Sequence, residues 1–156
     1  MREVTIREYR SSDFDALSSL WLASWRSAGV RTPVVHTLTS VRRRLPKDLM
    51  EWSIHVAVRR QRILGFVALK GSELDQLFVD PAVQSRGIGK SLLDFAKHRR
   101  PDGFWLSALA QNYGARRFYK REGLIPGKPV LGRHPGYRVI RFEWRPDHPG
   151  SGKELP

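Results

Sequence analysis

Residues 77–93 read LFVDPAVQSRGIGKSLL, a run in which an apolar strand ends, a short loop follows and two glycines stand where a helix begins. The first turn of a helix has backbone amides without intrahelical partners and the positive end of the helix dipole, so it binds phosphate groups. Gly87 and Gly89 lack the Cβ atoms that would hold a pyrophosphate away from those amides, and Arg86 and Lys90 add positive charge. The run therefore predicts a phosphate-binding turn.

The spacing of the glycines separates this turn from two common phosphate motifs. It has neither the Gly-x-x-x-x-Gly-Lys pattern of a P-loop nor the Gly-x-Gly-x-x-Gly pattern of a dinucleotide site. Gln84-Ser85-Arg86-Gly87-Ile88-Gly89, preceded by Leu-Phe-Val-Asp-Pro, instead resembles the acetyl-CoA signature Gln/Arg-x-x-Gly-x-Gly/Ala of the GNAT superfamily of N-acetyltransferases.

A second stretch, NYGARRFYKREGL at residues 112–124, is similar to the other motif of that family. Asn112 and Tyr119 lie seven residues apart, close to two helical turns, so they share a helix face. Taken alone, Asn112 would be interpreted as a helix cap and Tyr119 as a core aromatic. Two motifs in the right order and spacing favour the family resemblance, which is strongest over residues 74–124.

The hydrophobic periodicity of the whole chain predicts a mixed α/β domain over residues 1–145, with a flexible tail at 146–156. Pro46 is expected to stop the second helix, and the Pro- and Gly-rich residues 126–136 are interpreted as a loop that borders a site. The predicted strands are 4–9, 52–58, 63–69, 74–79, 104–109 and 137–144, and the predicted helices are 14–29, 39–45, 88–99 and 112–123.

The resemblance implies the GNAT (acyl-CoA N-acyltransferase) fold, a single mixed, mostly antiparallel sheet flanked by helices on both faces. In this fold the fourth and fifth strands are parallel and splay apart, and the pantetheine arm of acetyl-CoA enters the gap. The backbone of Phe78 and Val79 would pair with the pantetheine. The cofactor-binding residues implied in full are Phe78, Val79, Gln84, Ser85, Arg86, Gly87, Ile88, Gly89, Lys90, Ser91, Asn112 and Tyr119.

The chemistry that the resemblance implies is direct attack of a neutral amine on the thioester in a ternary complex. Tyr119 would be the general acid for the leaving CoA thiolate, since a phenol stays protonated at neutral pH. The backbone amide of Val79 or Phe78 would stabilise the oxyanion. The base is left open between Asp75, Glu73 and a water relay.

The carboxylates of this chain depart from part of the family pattern. Members that acetylate ribosomal-protein N-termini carry a Glu five residues before the Asn, where this sequence has Ser107. Histone-type members place a catalytic Glu early in the fourth strand, and by spacing that residue is Glu73. Asp75 follows two residues later, so regular alternation would place Glu73, Asp75, Leu77 and Val79 on one strand face.

The acceptor side is less defined by the sequence. Trp25 and Arg26 in the first helix and Tyr137 beside the Pro- and Gly-rich stretch are expected to line a pocket for an amine-bearing small molecule or protein. Acetyl-CoA is the expected co-substrate. No metal is expected, because the five histidines have no ligand-like spacing. The acceptor's identity and whether the chain forms a homodimer stay open.

The charge balance raises a rival interpretation. There are 28 Lys and Arg residues against 15 Asp and Glu, a net charge of +13, but the basic runs carry no nucleic-acid-binding motif. We therefore do not expect nucleic acid as the main partner, and keep as alternatives a non-catalytic acyl-CoA sensor and a basic nucleic-acid-binding module. The absence of Cys excludes a cysteinyl acyl-enzyme. No apolar run approaches a membrane span, so the cytoplasm is the expected compartment.

Overall fold

The computed structural model describes residues 3–27, 37–132 and 137–146. Short 3₁₀ turns occupy Ser11–Asp13 and Pro81–Val83. The strands are β1 (Thr5–Glu8), β2 (Ser53–Arg59), β3 (Arg62–Lys70), β4 (Glu73–Val79), β5 (Phe104–Leu109), β6 (Ile125–Pro126), β7 (Val130–Leu131) and β8 (Arg138–Trp144). The helices are α1 (Phe14–Ser27), α2 (Leu38–Glu51), α3 (Ile88–Arg99) and α4 (Tyr113–Arg121).

All eight strands form one sheet in the order β1-β2-β3-β4-β5-β8-β6, with β7 also paired to β8. Every pairing is antiparallel except that of β4 with β5, which is parallel. The crossover between these two parallel strands carries α3, as a parallel connection requires. The predicted mixed, mostly antiparallel sheet is therefore confirmed.

Two hydrophobic cores lie on the two faces of this sheet. Helices α3 and α4 cover one face, where Leu92, Leu93 and Phe142 are fully buried. Helices α1 and α2 cover the other face, where Leu17 and Leu45 are fully buried. This arrangement confirms the expectation of helices on both faces. Within the described residues, no helix is long and apolar enough to cross a membrane.

The second of these helical layers does not extend across the whole sheet. Strands β2 and β3 are buried on both faces along most of their length. Strands β5 and β8 instead alternate between buried residues and partly or fully exposed ones, and no buried residue of either strand belongs to the core under α1 and α2. Among residues 3–27, 37–132 and 137–146, nothing buries the α1-side face of β5 and β8 beside β4.

The second helix is longer than predicted, because α2 continues through Pro46 to Glu51. A proline inside a helix removes one backbone hydrogen bond and costs roughly 3 kcal/mol. The helix gains from the capping box of Thr37 and Ser40 at its start and from Leu45, which is fully buried against the core under α1. Tertiary packing thus outweighs the local stop signal.

The prediction of a loop over residues 126–136 was wrong in part. Within it, Pro126 belongs to β6 and Val130–Leu131 form β7, and both strands pair with β8. The free edge of β8 supplies the backbone partners, and proline is tolerated at such an edge strand. Residues 133–136 and the predicted tail from residue 147 onward lie outside the described residues.

Strand β4 contains a bulge that changes which face its acidic residues occupy. Gln76 pairs with Ala68 but Leu74 pairs with Leu69, so Asp75 is an extra residue with no partner on β3. A bulge of this kind breaks the alternation of side chains. Leu77 and Leu74 pack on the α3 side, whereas Glu73 precedes Leu74 and so falls on the α1 side. The expectation that Glu73 and Asp75 share a face with Leu77 and Val79 was therefore wrong.

Candidate active site

Strands β4 and β5 part almost as soon as they meet. Their register contains the single pair Glu73 and Trp105, and the backbone amide of Trp105 donates to the carbonyl of Ser72 at 3.0 Å. Neighbouring antiparallel pairs in the same sheet continue over six or more residues. Beyond Glu73, therefore, the two strands leave unpaired backbone facing a gap, which is the geometry that admits an extended ligand as an added strand.

The N-terminus of α3 lies at the end of β4 and has no side-chain cap. Its N-cap residue, Gly87, has φ +82°, a left-handed conformation that favours glycine. A Cβ atom on Gly87 would meet no described residue within 4 Å, so the space beside the turn is open as far as the described chain extends. By contrast, α2 and α4 are capped by the side chains of Thr37 and Asn112. The first amides of α3 thus remain available for an anion.

Two other glycines allow this turn to pack closely on the sheet. A Cβ atom on Gly65 would lie 2.7 Å from the carbonyl oxygen of Phe78 and 3.0 Å from Leu92 Cδ1. A Cβ atom on Gly89 would lie 3.4 Å from the ring of Phe118 and 3.6 Å from Val79 Cγ2. Gly89 therefore has a packing role between α3, α4 and the end of β4, whatever it does for a ligand.

Of the remaining residues of the turn, Gln84 and Ser91 make hydrogen bonds to the backbone. Gln84 Nε2 donates to the Val79 carbonyl at 3.3 Å, and Ser91 Oγ donates to the Gly87 carbonyl at 3.0 Å. Ser85 has φ 66°, and Arg86 is exposed. Ile88 is buried in the core under α3.

Lys90 is exposed and bonded to two carboxylates. Its Nζ lies 3.2 Å from Asp94 and 3.3 Å from Glu122, and these bonds raise the pKa of the Lys90 amine. In this structure the positive charge of Lys90 is therefore matched by Asp94 and Glu122, and Arg86 is the turn residue whose charge is more readily offered to a phosphate.

Helix α4 carries the two residues of the second motif. Asn112 is its N-cap, and Asn112 Oδ1 accepts a hydrogen bond from the amide of Ala115 at 3.1 Å. Tyr119 is buried, with its ring centroid 5.3 Å from that of Phe118 and 5.5 Å from that of Phe142. Burial raises the pKa of the Tyr119 hydroxyl well above its usual value. Asn112 thus serves as a cap, and Tyr119 stays protonated over the whole neutral range.

Asp75 is held by two hydrogen bonds on the α1 side of the sheet. Trp52 Nε1 donates to Asp75 Oδ2 at 3.0 Å, and Gln76 Nε2 donates to Asp75 Oδ1 at 3.1 Å. Burial, reinforced by the nearby Asp75 carboxylate, raises the pKa of Asp48, although Arg44 opposes the shift. The carboxylates of Asp48 and Asp75 therefore lie near enough to each other to interact, and Arg44 is paired with Asp48 at 3.1 Å.

The three residues expected at the acceptor side lie on different elements. Trp25 is half-buried and Arg26 exposed, both in the last two turns of α1. Tyr137 is buried immediately before β8, and its carbonyl accepts the amide of Gly132 at 2.7 Å. Their roles toward an acceptor stay a prediction.

Sequence reasoning missed two residues that shape this region. Gly65 interrupts an apolar strand, which is the ordinary sign of a close backbone approach and could have indicated its role. The sequence predicts Trp52 at a strand start and among the aromatic residues that could line an acceptor pocket, but nothing local in it connects Trp52 with Asp75, 23 residues away.

Comparison with known proteins gives one consistent result. A GNAT acetyltransferase domain matches residues 51–123. Peptidyl-lysine N-acetyltransferase YjaB of Escherichia coli is 32% identical over 127 residues, which span 77% of this chain and 81% of that protein. Peptidyl-lysine N-acetyltransferase YiaC of the same organism is 30% identical over 122 residues, spanning 76% and 81%.

Solved structures are similar over almost the entire chain. The solution structure of apo YjaB from Escherichia coli has a TM-score of 0.77 and 26% identity, covering 90% of this chain and 97% of that one. The N-acetyltransferase PaiA of Thermoplasma acidophilum, solved in complex with coenzyme A, has a TM-score of 0.69 and 20% identity, covering 91% and 99%. The second likeness concerns the fold alone.

Proposed function

The chain belongs to the GNAT family of acetyltransferases, and we propose that it transfers the acetyl group of acetyl-CoA to the side-chain amine of lysine residues in proteins. The observation that carries the proposal is the parting of β4 and β5 after Glu73 and Trp105, directly beside the uncapped N-terminus of α3. The choice of lysine rests on the names of the relatives YjaB and YiaC, both peptidyl-lysine N-acetyltransferases.

The site suits acetyl-CoA, which supplies the activated acyl thioester. The backbone of Phe78 and Val79 borders the gap and is suited to pair with the pantetheine arm. The amides of residues 88–90 form the uncapped first turn of α3 and are suited to the pyrophosphate, whereas the amide of Ser91 donates to the Gly87 carbonyl at 3.0 Å. Gln84, Ser85 and Ser91 shape the turn, and Arg86 adds charge.

Tyr119 is the proposed general acid, because its buried hydroxyl stays protonated and can give its proton to the leaving thiolate. Asp75 is the proposed base for the incoming amine. Asp75 lies beyond the single residue of β4 that pairs with β5. That residue is Glu73, which pairs with Trp105 at the closed end of the gap. A water relay is the alternative. Comparing Asp75→Asn with Glu73→Gln identifies which carboxylate is the base, and full activity in both variants would favour the relay. Loss of about 100-fold or more in kcat/KM is expected for Asp75→Asn alone.

Thermal melting with acetyl-CoA, CoA and duplex DNA, followed by thiol release with lysine peptides, tests the function. Both CoA compounds are expected to raise the melting temperature, and lysine peptides are expected to release thiol. Stabilisation by acetyl-CoA without turnover on any amine would favour the sensor. Stabilisation by DNA alone would favour the basic nucleic-acid-binding module.

A further inference from the structure

In the part of the chain that the structure describes, the α1-side face of β5 and β8 forms an exposed shelf. It consists of Trp105, Ser107 and Leu109 of β5 with Val139, Arg141 and Glu143 of β8. On the opposite face of the same strands Phe104, Leu106, Ile140 and Phe142 are buried. The shelf adjoins the gap where β4 and β5 part, so a molecule that places an amine in the gap can extend across it.

Arg141 is the fixed positive charge on this shelf. Its guanidinium carbon lies 4.2 Å from the ring centroid of Trp105, and its Nε lies 3.3 Å from Glu143 Oε1. The side chain is 50% exposed. An Arg stacked on an aromatic face keeps the edge of its planar fork pointing outward, which matches a carboxylate in two-point geometry.

Glu143 does not cancel this charge. Glu143 Oε2 also binds Arg145 NH2 at 2.7 Å, so one carboxylate is shared between two guanidinium groups. Only the Nε of Arg141 takes part in its ion pair. Over residues 3–27, 37–132 and 137–146, no ion pair of Arg141 other than the one with Glu143 is seen. Within those residues the two terminal guanidinium nitrogens of Arg141 take part in no ion pair, so they can bind an incoming anion.

The sheet register determines the distance between Arg141 on the shelf and Asp75 at the gap. Ser107 is paired with Arg141, and Asp75 lies two residues beyond Glu73 on β4, as Ser107 lies two beyond Trp105 on β5. Adjacent strands are about 5 Å apart, so Asp75 and Arg141 are separated by about 10 Å or more. The negative charge of Asp75 at the gap and the positive charge of Arg141 on the shelf match a substrate that carries an amine and, some distance away, a carboxylate.

We propose that Arg141, stacked on Trp105, selects acceptor lysines that are flanked by an acidic residue in the substrate protein. The inference rests on the proposed function and narrows its substrate class. The net charge of +13 supports it, because long-range attraction favours acidic partners and disfavours basic tails.

The test measures kcat/KM on lysine peptides that differ only in one neighbouring residue, Glu, Gln or Lys. The wild-type protein is expected to favour the Glu peptide over the Gln peptide by roughly threefold to tenfold, the size of one half-exposed charged bond, mainly through KM. Arg141→Gln should remove this preference, and Arg141→Glu should reverse it toward the Lys peptide.

Arg138→Gln is the matched control. Arg138 is exposed on the same strand, but strand alternation places it on the opposite face, so its loss should leave the preference unchanged. Arg141→Lys is the second variant, for use if Arg141→Gln is too unstable to assay. It keeps the positive charge but loses the planar guanidinium, so the preference for the Glu peptide should be reduced but still present.

Two results separate this inference from the function on which it rests. Turnover with equal kcat/KM on all three peptides would overturn the role of Arg141 and leave the acetyltransferase intact. No turnover on any lysine peptide, despite stabilisation by acetyl-CoA, would overturn the proposed function itself. A dimer in sedimentation that Arg141→Glu dissociates would show that a second copy covers the shelf, which also contradicts the inference.

Discussion

Trp52 donates a hydrogen bond from its indole Nε1 to Asp75 Oδ2 at 3.0 Å, joining the residue after α2 to the bulge of β4. Trp52 is itself buried, with its ring centroid 6.1 Å from that of Trp21 on α1. The helical layer on this side thus fixes the position of the proposed base. Because Asp75 is the extra residue of the bulge, its side chain lies on the α1 side of the sheet, against Trp52.

Replacing Trp52 with Phe keeps an aromatic ring and removes the donor. The free energy of unfolding should fall by about 1.5–3 kcal/mol, the contribution of a hydrogen bond to a charged group, as measured by urea denaturation. The kcat/KM for lysine peptides should also fall, because Asp75 loses its support. The double variant Trp52→Phe/Asp75→Asn should be no slower than Asp75→Asn alone. Additive losses would mean that Trp52 does not act through Asp75.

Replacing Tyr119 with Phe should lower kcat by about 10²–10⁴-fold, because the leaving thiolate loses its proton donor. Acetyl-CoA affinity, measured by calorimetry, should change little. Tyr113→Phe is the matched control, since Tyr113 lies in the same helix but is 62% exposed. Equal rates for the two variants would remove Tyr119 from the chemistry.

The bounds of α3 and β5, residues 88–99 and 104–109, were predicted correctly from the sequence, because apolar spacing and flanking Gly and Pro agree there. The end of α2 was predicted wrongly, because the helix continues past Pro46 and the burial of Leu45 outweighs this local stop signal. The face of Glu73 was also predicted wrongly, because a bulge appears only when β3 and β4 pair.

In the candidate site, too, features with a local sequence signal were predicted and contacts between distant residues were not. The turn at Gly87 was visible as a motif, because the left-handed backbone that it needs restricts the residue type. The contact of Trp52 with Asp75 and the stack of Arg141 on Trp105 join distant parts of the chain. Such contacts follow from sheet register and leave no periodic signal in the sequence.

His55 should make the fold sensitive to acid. It is buried on β2, its ring centroid lies 4.5 Å from that of Phe95, and its Nδ1 has no hydrogen-bond partner in the described part of the chain. Burial, with Arg99 of α3 nearby, lowers the pKa of His55 from 6.5, although Glu8 of β1 opposes the shift.

The unfolded chain therefore binds this proton first as the pH falls. The stability contributed by neutral His55 is complete above pH 6.5 and is lost as the pH drops from there toward the folded pKa, by up to about 1.4 kcal/mol per pH unit. Urea denaturation between pH 5 and pH 8 should show this slope, and His55→Phe should flatten it. An unchanged slope in the variant would assign the acid sensitivity to other groups.

Replacing Gly65 with Ala should destabilise the protein by about 1–3 kcal/mol, because the new Cβ would lie 2.7 Å from the Phe78 carbonyl oxygen. It should also weaken acetyl-CoA binding, since the end of β4 must shift. Gly114→Ala is the control, because a Cβ atom there meets only Asn112 Oδ1 at 3.9 Å. Denaturation and calorimetry measure both effects, and a neutral Gly65→Ala would disprove the close approach.

An amide NMR titration with CoA determines whether the cofactor binds between β4 and β5, as the proposed function requires. The largest shift changes should fall on residues 86–91 and on Phe78 and Val79, which border the gap and the turn. Changes centred instead on the surface pocket lined by Gly71, Arg99, Arg100 and Asp102, at the other end of α3, would contradict it.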